Sequence, residues 1–238
     1  MPIIREVHYE CDGRQLVGRL ALPDGEGPFA GVLIAHEGPG HDEWQLARAD
    51  RLAEIGYAAF ALDYHGDLTP FADRDLMVAR LDEFRADPAA MARIAGAGLD
   101  QLLAAPGVDP NRIAAIGHCF GASMVLELGR EGLDIKAIVG FHPGLPTARP
   151  EAAANIRGKV RMYVGADDPV IPVEHRIDFE KEMRSGGVDW AMHLYGGVGH
   201  SFTHPMVDHL NLPGLAFDEE ADRHSWQSML DLFAATIA

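Results

Sequence analysis

Residues 112–130 read RIAAIGHCFGASMVLELGR, which is an apolar run, a cluster of small residues and then a segment with helical spacing. This pattern predicts a strand over 112–117 and a helix over 120–130. The junction, residues 117–121, has the form G-x-C-x-G, which is typical of a sharp strand-to-helix turn that exposes a nucleophile. The nucleophile here is Cys119. Since the turn lies at a helix N-terminus, the helix dipole would stabilise negative charge on the sulfur.

Apolar runs and helical segments alternate along the rest of the chain, which predicts an α/β fold with a mostly parallel sheet and helices on both faces. We expect one domain, 1–238, that begins with a β-hairpin around Cys11-Asp12-Gly13. The predicted strands are 3–10, 14–22, 30–36, 57–62, 112–117, 136–141, 159–164 and 190–195, and the predicted helices are 43–55, 88–105, 120–130, 173–185 and 218–237, with a polar stretch at 66–87 that is partly helical from Asp73.

The composition narrows the class of protein. The 238 residues include 36 acidic and 20 basic side chains, for a net charge of −16, which argues against nucleic-acid partners and anionic membranes. No apolar run reaches the roughly 20 residues that span a bilayer, and the first residues lack the features of a secretory signal. With only Cys11 and Cys119 as cysteines, we expect a cytoplasmic protein that acts on a small molecule. The sequence leaves the oligomeric state open.

A nucleophilic cysteine needs a group that moves protons and a carboxylate that orients that group. In proteins with this type of turn, the acid and then the histidine follow the nucleophile along the chain. His200 follows the predicted strand 190–195 in a glycine-rich loop, and Asp167 and Asp168 follow the strand 159–164. The carboxyl ends of parallel strands meet at one edge of the sheet, so these residues are expected to meet Cys119.

Four separated segments resemble the dienelactone hydrolase family of α/β-hydrolases over nearly the whole chain. Residues 117–121 match the family's nucleophile motif, and Glu37 follows a strand as the family's buried glutamate does. The segment DPVIP at 168–172 resembles the family's D-x-x-V-P, which favours Asp168 over Asp167 as the acid. The segment GHSF at 199–202 is similar to the family's G-H-S-F.

This resemblance implies an α/β-hydrolase fold, a Cys–His–Asp triad and no metal or cofactor. It implies an oxyanion hole made by the backbone N–H groups of Phe120 and Gly38. It also implies that Glu37 pairs with the resting Cys119 thiol and shifts when substrate binds, so that the thiolate is released.

The sequence departs from the family where the family binds its substrate's carboxylate with two arginines. One of these positions is His204 here, and the stretch that corresponds to the other, residues 64–67, holds no arginine. We therefore expect a neutral ester or lactone as substrate. A neutral phosphotriester is the alternative, since the chain also resembles a phosphotriester-hydrolysing member of the family. The candidate pocket residues are His41, Trp44, His65, Phe71, Phe141, His142 and His204.

Other classes of protein remain alternatives. A non-catalytic ligand-binding protein would use the same pocket with an incomplete triad, and a thiol-redox protein would use Cys119 without a resolving cysteine nearby in sequence. The chain has 12 histidines, but no H-E-x-x-H or C-x-x-C spacing predicts a metal site. A cysteine hydrolase is the interpretation that uses most of the motifs.

Overall fold

The computed structural model describes residues 1–66 and 71–238, so residues 67–70 of the predicted polar stretch 66–87 lie outside the described part. The described strands and helices follow the expected order. The strands are β1 (Ile3–Cys11), β2 (Arg14–Leu22), β3 (Phe29–Ala35), β4 (Ala58–Leu62), β5 (Val108–His118), β6 (Ala137–Phe141), β7 (Lys159–Gly165) and β8 (Trp190–Tyr195). The helices are α1 (Glu43–Glu54), α2 (Arg74–Ala86), α3 (Pro88–Leu103), α4 (Phe120–Arg130), α5 (Val173–Ser185) and α6 (Glu219–Thr236).

The strands form one sheet in the order β1-β2-β4-β3-β5-β6-β7-β8. The hairpin β1–β2 is antiparallel, as is the pairing of β2 with β4. From β4 to β8 every neighbouring pair is parallel. The carboxyl ends of β3, β5, β7 and β8 therefore lie at the same edge of the sheet, which is where the predicted site residues follow their strands.

Helices cover both faces of the sheet. Side chains alternate between the faces along a strand, so Val32 and Ile34 of β3 lie in one core cluster and Leu33 in the other. Helices α1 and α6 pack on the first face, and α2 to α5 pack on the second. The central strands are buried on both faces, which explains why β3 and β4 read as continuous apolar runs rather than as alternating ones.

Aspartates begin four of the six helices among the described residues. The carboxylates of Asp42, Asp73, Asp87 and Asp218 accept hydrogen bonds from backbone N–H groups in the first turns of α1, α2, α3 and α6. A carboxylate satisfies N–H groups that have no partner within the helix, and it interacts favourably with the helix dipole. The predicted start of helix at Asp73 is confirmed as the position of this cap.

Most bounds agree with the sequence predictions to within two residues, and two features differ by more. Strand β5 begins at Val108 rather than at residue 112, because a short pairing with β3 precedes the irregularity between Phe29 and Gly31. Two 3₁₀ segments, Pro150–Asn155 and Pro205–Leu210, lie in stretches for which no element was predicted. Among the described residues, no helix is long and apolar enough to cross a membrane.

Candidate active site

Cys119 lies on the sharp turn between β5 and α4. Its backbone has φ +52° and ψ −117°, a conformation that non-glycine residues rarely adopt. A Cβ atom at Gly117 would lie 2.3 Å from backbone atoms of Gly121, and one at Gly121 would lie 2.3 Å from the carbonyl oxygen of Ala35. Both glycines are therefore required by close backbone packing, as the G-x-C-x-G pattern predicts.

The structure brings His200 and Asp168 to Cys119. The Nε2 atom of His200 lies 3.1 Å from Cys119 Sγ, and its Nδ1 atom lies 2.7 Å from Asp168 Oδ2. The other carboxylate oxygen of Asp168 accepts hydrogen bonds from the backbone N–H groups of Val170 and Ile171. Asp168 is buried and Asp167 is exposed. This geometry fixes the direction of the imidazole between sulfur and carboxylate.

The surroundings of His200 favour its protonated form. Burial would lower the pKa of His200, but the Cys119 sulfur and the hydrogen bond with Asp168 outweigh burial and raise that pKa well above its usual value. An imidazolium beside the sulfur would stabilise a thiolate and would hold a proton for a leaving group.

Glu37 lies beside this triad but does not pair with the thiol. Its Oε2 accepts a hydrogen bond of 2.9 Å from the Ser201 hydroxyl, and its Oε1 accepts one of 3.2 Å from the Gln45 side-chain amide. The pairing of Glu37 with resting Cys119, which the family resemblance implies, is not the arrangement in this structure. The reason is that Gln45 and Ser201 supply donors to both carboxylate oxygens while His200 contacts the sulfur.

A buried polar layer lies behind Glu37, and sequence reasoning missed it. Arg48 donates to the Thr203 carbonyl at 2.8 Å, and His142 Nε2 lies 2.9 Å from Thr203 Oγ1. Burial lowers the pKa of Arg48 to about 10, with Asp222 and Glu37 acting in the opposite direction. The available signal was the spacing of Gln45 and Arg48, which places an amide and a guanidinium on the same helical face as Leu52.

The two amides of the expected oxyanion hole lie on loops next to the triad. Phe120 is the first residue of α4, and Gly38 directly follows Glu37. Among the described residues, neither backbone N–H donates a hydrogen bond to a loop or turn acceptor. Helix α2 packs over the Gly38 loop, since a Cβ at Gly38 would lie 2.9 Å from the Leu81 side chain. Part of the polar stretch 66–87 thus covers this side of the site.

Three predicted pocket residues are buried rather than open to a substrate. His41 and His142 are 1% and 0% exposed, and Phe141 is 1% exposed and stacks between His118 and Tyr163. The prediction that these three line an open pocket is therefore corrected. Their side chains point into the packed layers under the site, where burial lowers the pKa of His41 to about 4 and that of His142 well below its usual value.

The other four predicted pocket residues are half-buried around the loops of the site. His65 Nε2–H donates to the Gly38 carbonyl at 2.8 Å and packs edge-on against Phe71. Trp44 donates to the Thr203 carbonyl at 3.0 Å, and His204 Nε2 lies 2.6 Å from Asp42. These side chains remain candidates for contact with a substrate.

The described residues contain no group of three or more histidine, cysteine, aspartate or glutamate side chains arranged to hold a metal ion. Cys11 and Cys119 are both free thiols. They lie on β1 and after β5, strands that β2, β4 and β3 separate in the sheet. The groups that meet at the site are a thiol, an imidazole and carboxylates.

A mostly parallel eight-stranded sheet with a sharp, strained turn at Cys119 between β5 and α4 is typical of α/β-hydrolases. A sequence model of the dienelactone hydrolase family matches residues 16–237. The chain belongs to the dienelactone hydrolase family, and it is a hydrolase. Both the predicted fold class and the predicted family are confirmed by these findings.

Several relatives span most of the chain. A solved structure named m3DLH has 39% sequence identity and a TM-score of 0.95, and it covers 100% of this chain and 99% of its own. The dienelactone hydrolase-like promiscuous phosphotriesterase P91, from metagenomic libraries, has 36% identity and a TM-score of 0.93, with coverage of 100% and 99%. Protein usf of Aquifex pyrophilus is 29% identical over 82% of this chain and 85% of its own.

Proposed function

We propose that the chain hydrolyses neutral small-molecule esters or lactones through a covalent intermediate on Cys119. The observation that carries the proposal is the line from the Cys119 sulfur through His200 to Asp168, with contacts of 3.1 and 2.7 Å. Family membership supports it, because the family's nucleophile motif falls on the same cysteine.

The reaction starts with attack of the Cys119 thiolate on the carbonyl carbon. The negative charge that develops on the carbonyl oxygen is stabilised by the N–H groups of Phe120 and Gly38. His200 transfers a proton from Nε2 to the leaving alkoxide, and a thioester with Cys119 remains. Water then attacks the thioester, His200 takes the water proton, and the acid product leaves as the thiolate forms again. Asp168 stabilises the imidazolium and holds its orientation.

The charges around the site favour a neutral substrate. His204 lies 2.6 Å from Asp42, and Arg85, whose guanidinium lies over the Phe120 ring, pairs with Asp82 at 2.6 Å. Arg48 is buried and donates to the Thr203 carbonyl. A substrate carboxylate would therefore have to compete with acceptors that belong to the protein, which reduces the gain from charge-assisted hydrogen bonds.

Variants of Cys119 and His200 test the nucleophile, and a variant of the other cysteine, Cys11, is the control. Cys119→Ala and His200→Ala should each lower kcat/KM for para-nitrophenyl butyrate by about 10³-fold or more, while Cys11→Ala should keep wild-type turnover. Mass spectrometry after rapid quenching should find the butyryl group on the peptide that contains Cys119. Wild-type turnover in Cys119→Ala would contradict the proposal.

A second assay tests the charge of the substrate. The neutral butyrate ester and the para-nitrophenyl monoester of succinate share a leaving group and differ by one carboxylate. We expect kcat/KM to be at least about tenfold higher for the neutral ester. Equal or reversed values of kcat/KM would contradict the preference for neutral substrates but would not contradict the role of Cys119 as the nucleophile.

Phosphotriester hydrolysis is the second candidate activity. It is favoured by the 36% identity to P91 over the whole chain. The thiolate would attack phosphorus and displace an aryloxide, and water activated by His200 would then have to release the phosphoryl group from sulfur. Diethyl para-nitrophenyl phosphate tests this step: steady turnover that Cys119→Ala abolishes supports it. A single burst followed by inactivity would show that the phosphorylated cysteine is not released.

A further inference from the structure

The two edge strands of the sheet differ in composition. Strand β1 reads IIREVHYEC and carries Arg5, Glu6 and Glu10, whereas β8 reads WAMHLY and has no acidic residue, lysine or arginine. Charged side chains on an edge strand discourage pairing with another chain. Among the described residues, no strand pairs with the outer edge of β8. Strand β8 is therefore an edge strand of the described sheet.

Apolar side chains surround this open edge. Leu194 of β8 is 55% exposed, and Val173 and Ile177, one turn apart on α5, are 51% and 46% exposed. A groove of about 370 Å³ lies between α5 and β8. Its lining consists of Arg176, Glu180, Trp190, Ala191, Met192 and Leu194. We call this surface the β8 face.

The charges of the β8 face are complementary under a two-fold rotation. Arg176 and Glu180 lie one helical turn apart on α5. Both residues line the groove, and Glu180 accepts from Arg184 at 2.8 Å on one oxygen only. When two α5 helices pack antiparallel, Arg176 of each lies opposite Glu180 of the other. A surface that complements itself in this way fits another copy of the same chain.

We propose that the β8 face joins two copies of this chain into a two-fold symmetric dimer. The β8 strands pair antiparallel across the axis, so that the two eight-stranded sheets become continuous. The α5 helices pack against each other beside the joined strands and bury Val173, Ile177 and Leu194. Each Arg176 then lies opposite Glu180 of the other copy. This inference does not depend on the proposed reaction, because it uses no residue of the triad.

Sedimentation velocity at chain concentrations of about 1 to 100 µM measures the oligomeric state. This range covers the dissociation constants of many protein–protein complexes. We expect the wild-type chain to sediment with twice the mass of one chain. Leu194→Lys places a charge on the edge strand, and Arg176→Glu places two carboxylates opposite each other. Both variants should weaken dimerisation at least about tenfold and shift the distribution towards monomer.

Two controls make the result specific. Ile4→Lys places the same charge on an exposed apolar residue of the other edge strand, so it should leave the dimer intact. Arg176→Glu combined with Glu180→Arg exchanges the charges, so it should restore dimerisation. Far-UV circular dichroism and thermal unfolding show whether each variant is folded, and Ile177→Glu replaces Leu194→Lys if the latter is not. A wild-type chain that is monomeric throughout, or a folded Leu194→Lys variant that remains dimeric, overturns the proposal.

Discussion

Asp168 and Glu37 are both buried carboxylates, and they bind neighbouring residues of one loop in different ways. Asp168 contacts the imidazole of His200, which holds or releases a proton. Glu37 accepts from the hydroxyl of Ser201 and the amide of Gln45, neither of which titrates near neutral pH. The role of a buried carboxylate therefore depends on the group that it binds. Asp168 is placed to stabilise an imidazolium, and Glu37 is placed to hold the loop.

The largest effect is expected for the carboxylate that faces the imidazole. Asp168→Asn should lower kcat for the neutral ester by about 10³- to 10⁴-fold, because the amide stabilises neither the imidazolium nor the required tautomer of His200. Asp167→Asn is the matched control, since Asp167 is exposed and adjacent, and it should leave kcat unchanged. If the two variants exchange these results, the triad acid is Asp167.

Substitution of Glu37 is expected to lower activity less than substitution of Asp168, and to lower stability measurably. Glu37→Gln turns an amide NH₂ towards one of two donors and removes a charge that offsets the buried Arg48. We expect the free energy of unfolding in urea to fall by about 1–3 kcal/mol and kcat to fall by about 10- to 100-fold. Glu43→Gln, at an exposed position of α1, is the control. A loss in kcat as large as that of Asp168→Asn would contradict the proposed division of roles.

Ser201 offers a finer test of how Glu37 holds the loop. Ser201→Ala removes one donor to Glu37 and should cost about 1 kcal/mol of unfolding free energy, with a decrease in kcat/KM of about threefold. The backbone of Ser201 has φ +56°, which glycine adopts more easily. Ser201→Gly should therefore be less destabilising than Ser201→Ala. Urea unfolding measures the two free energies. If Ser201→Gly is less stable than Ser201→Ala, the backbone conformation at this position is not strained.

The smallest effect concerns a second aspartate–histidine pair, Asp42 and His204, at 2.6 Å. Burial would lower the pKa of His204, but the hydrogen bond with Asp42 outweighs it and raises that pKa. The stabilisation is then fully present below the unfolded-state pKa of about 6.5 and is lost as pH rises through the folded-state value.

We therefore expect His204→Gln to be more destabilising at about pH 5.5 than at about pH 9. The difference should be at most about 1 kcal/mol, because the Asp42 side chain is more than a third exposed and solvent screens the pair. His209→Gln, at an exposed position, is the control for the loss of a histidine. Urea unfolding at the two pH values checks the prediction. If His204→Gln lowers the free energy of unfolding by the same amount at both, the prediction is contradicted.

The order of the elements could be predicted because local signals agree with the fold. Continuous apolar runs mark the central strands, and aspartates mark the starts of four helices. The bounds of β8 and α5 are those predicted. The turn around Cys119 could be predicted because its glycines are required by backbone contacts, which leave a pattern that one sequence shows directly.

The pocket and the polar layer could not be predicted in the same way. Histidine occurs both in packed interiors and at solvent-facing sites, so the sequence does not distinguish the buried His41 and His142 from the half-buried His65 and His204. The partners of Glu37 lie 8 and 164 residues away in sequence. Only the folded chain brings them together, and no local periodicity reports such a contact.

The turn around Cys119 is fitted by main-chain atoms rather than by side chains. Gly117 and Gly121 approach carbonyl groups too closely for any substituent. The loops around the turn can therefore change while the two glycines and the position of the sulfur stay constant. Mutant libraries that keep residues 117–121 and vary Trp44, His65, Phe71 and His204 are expected to change substrate preference without disturbing the turn.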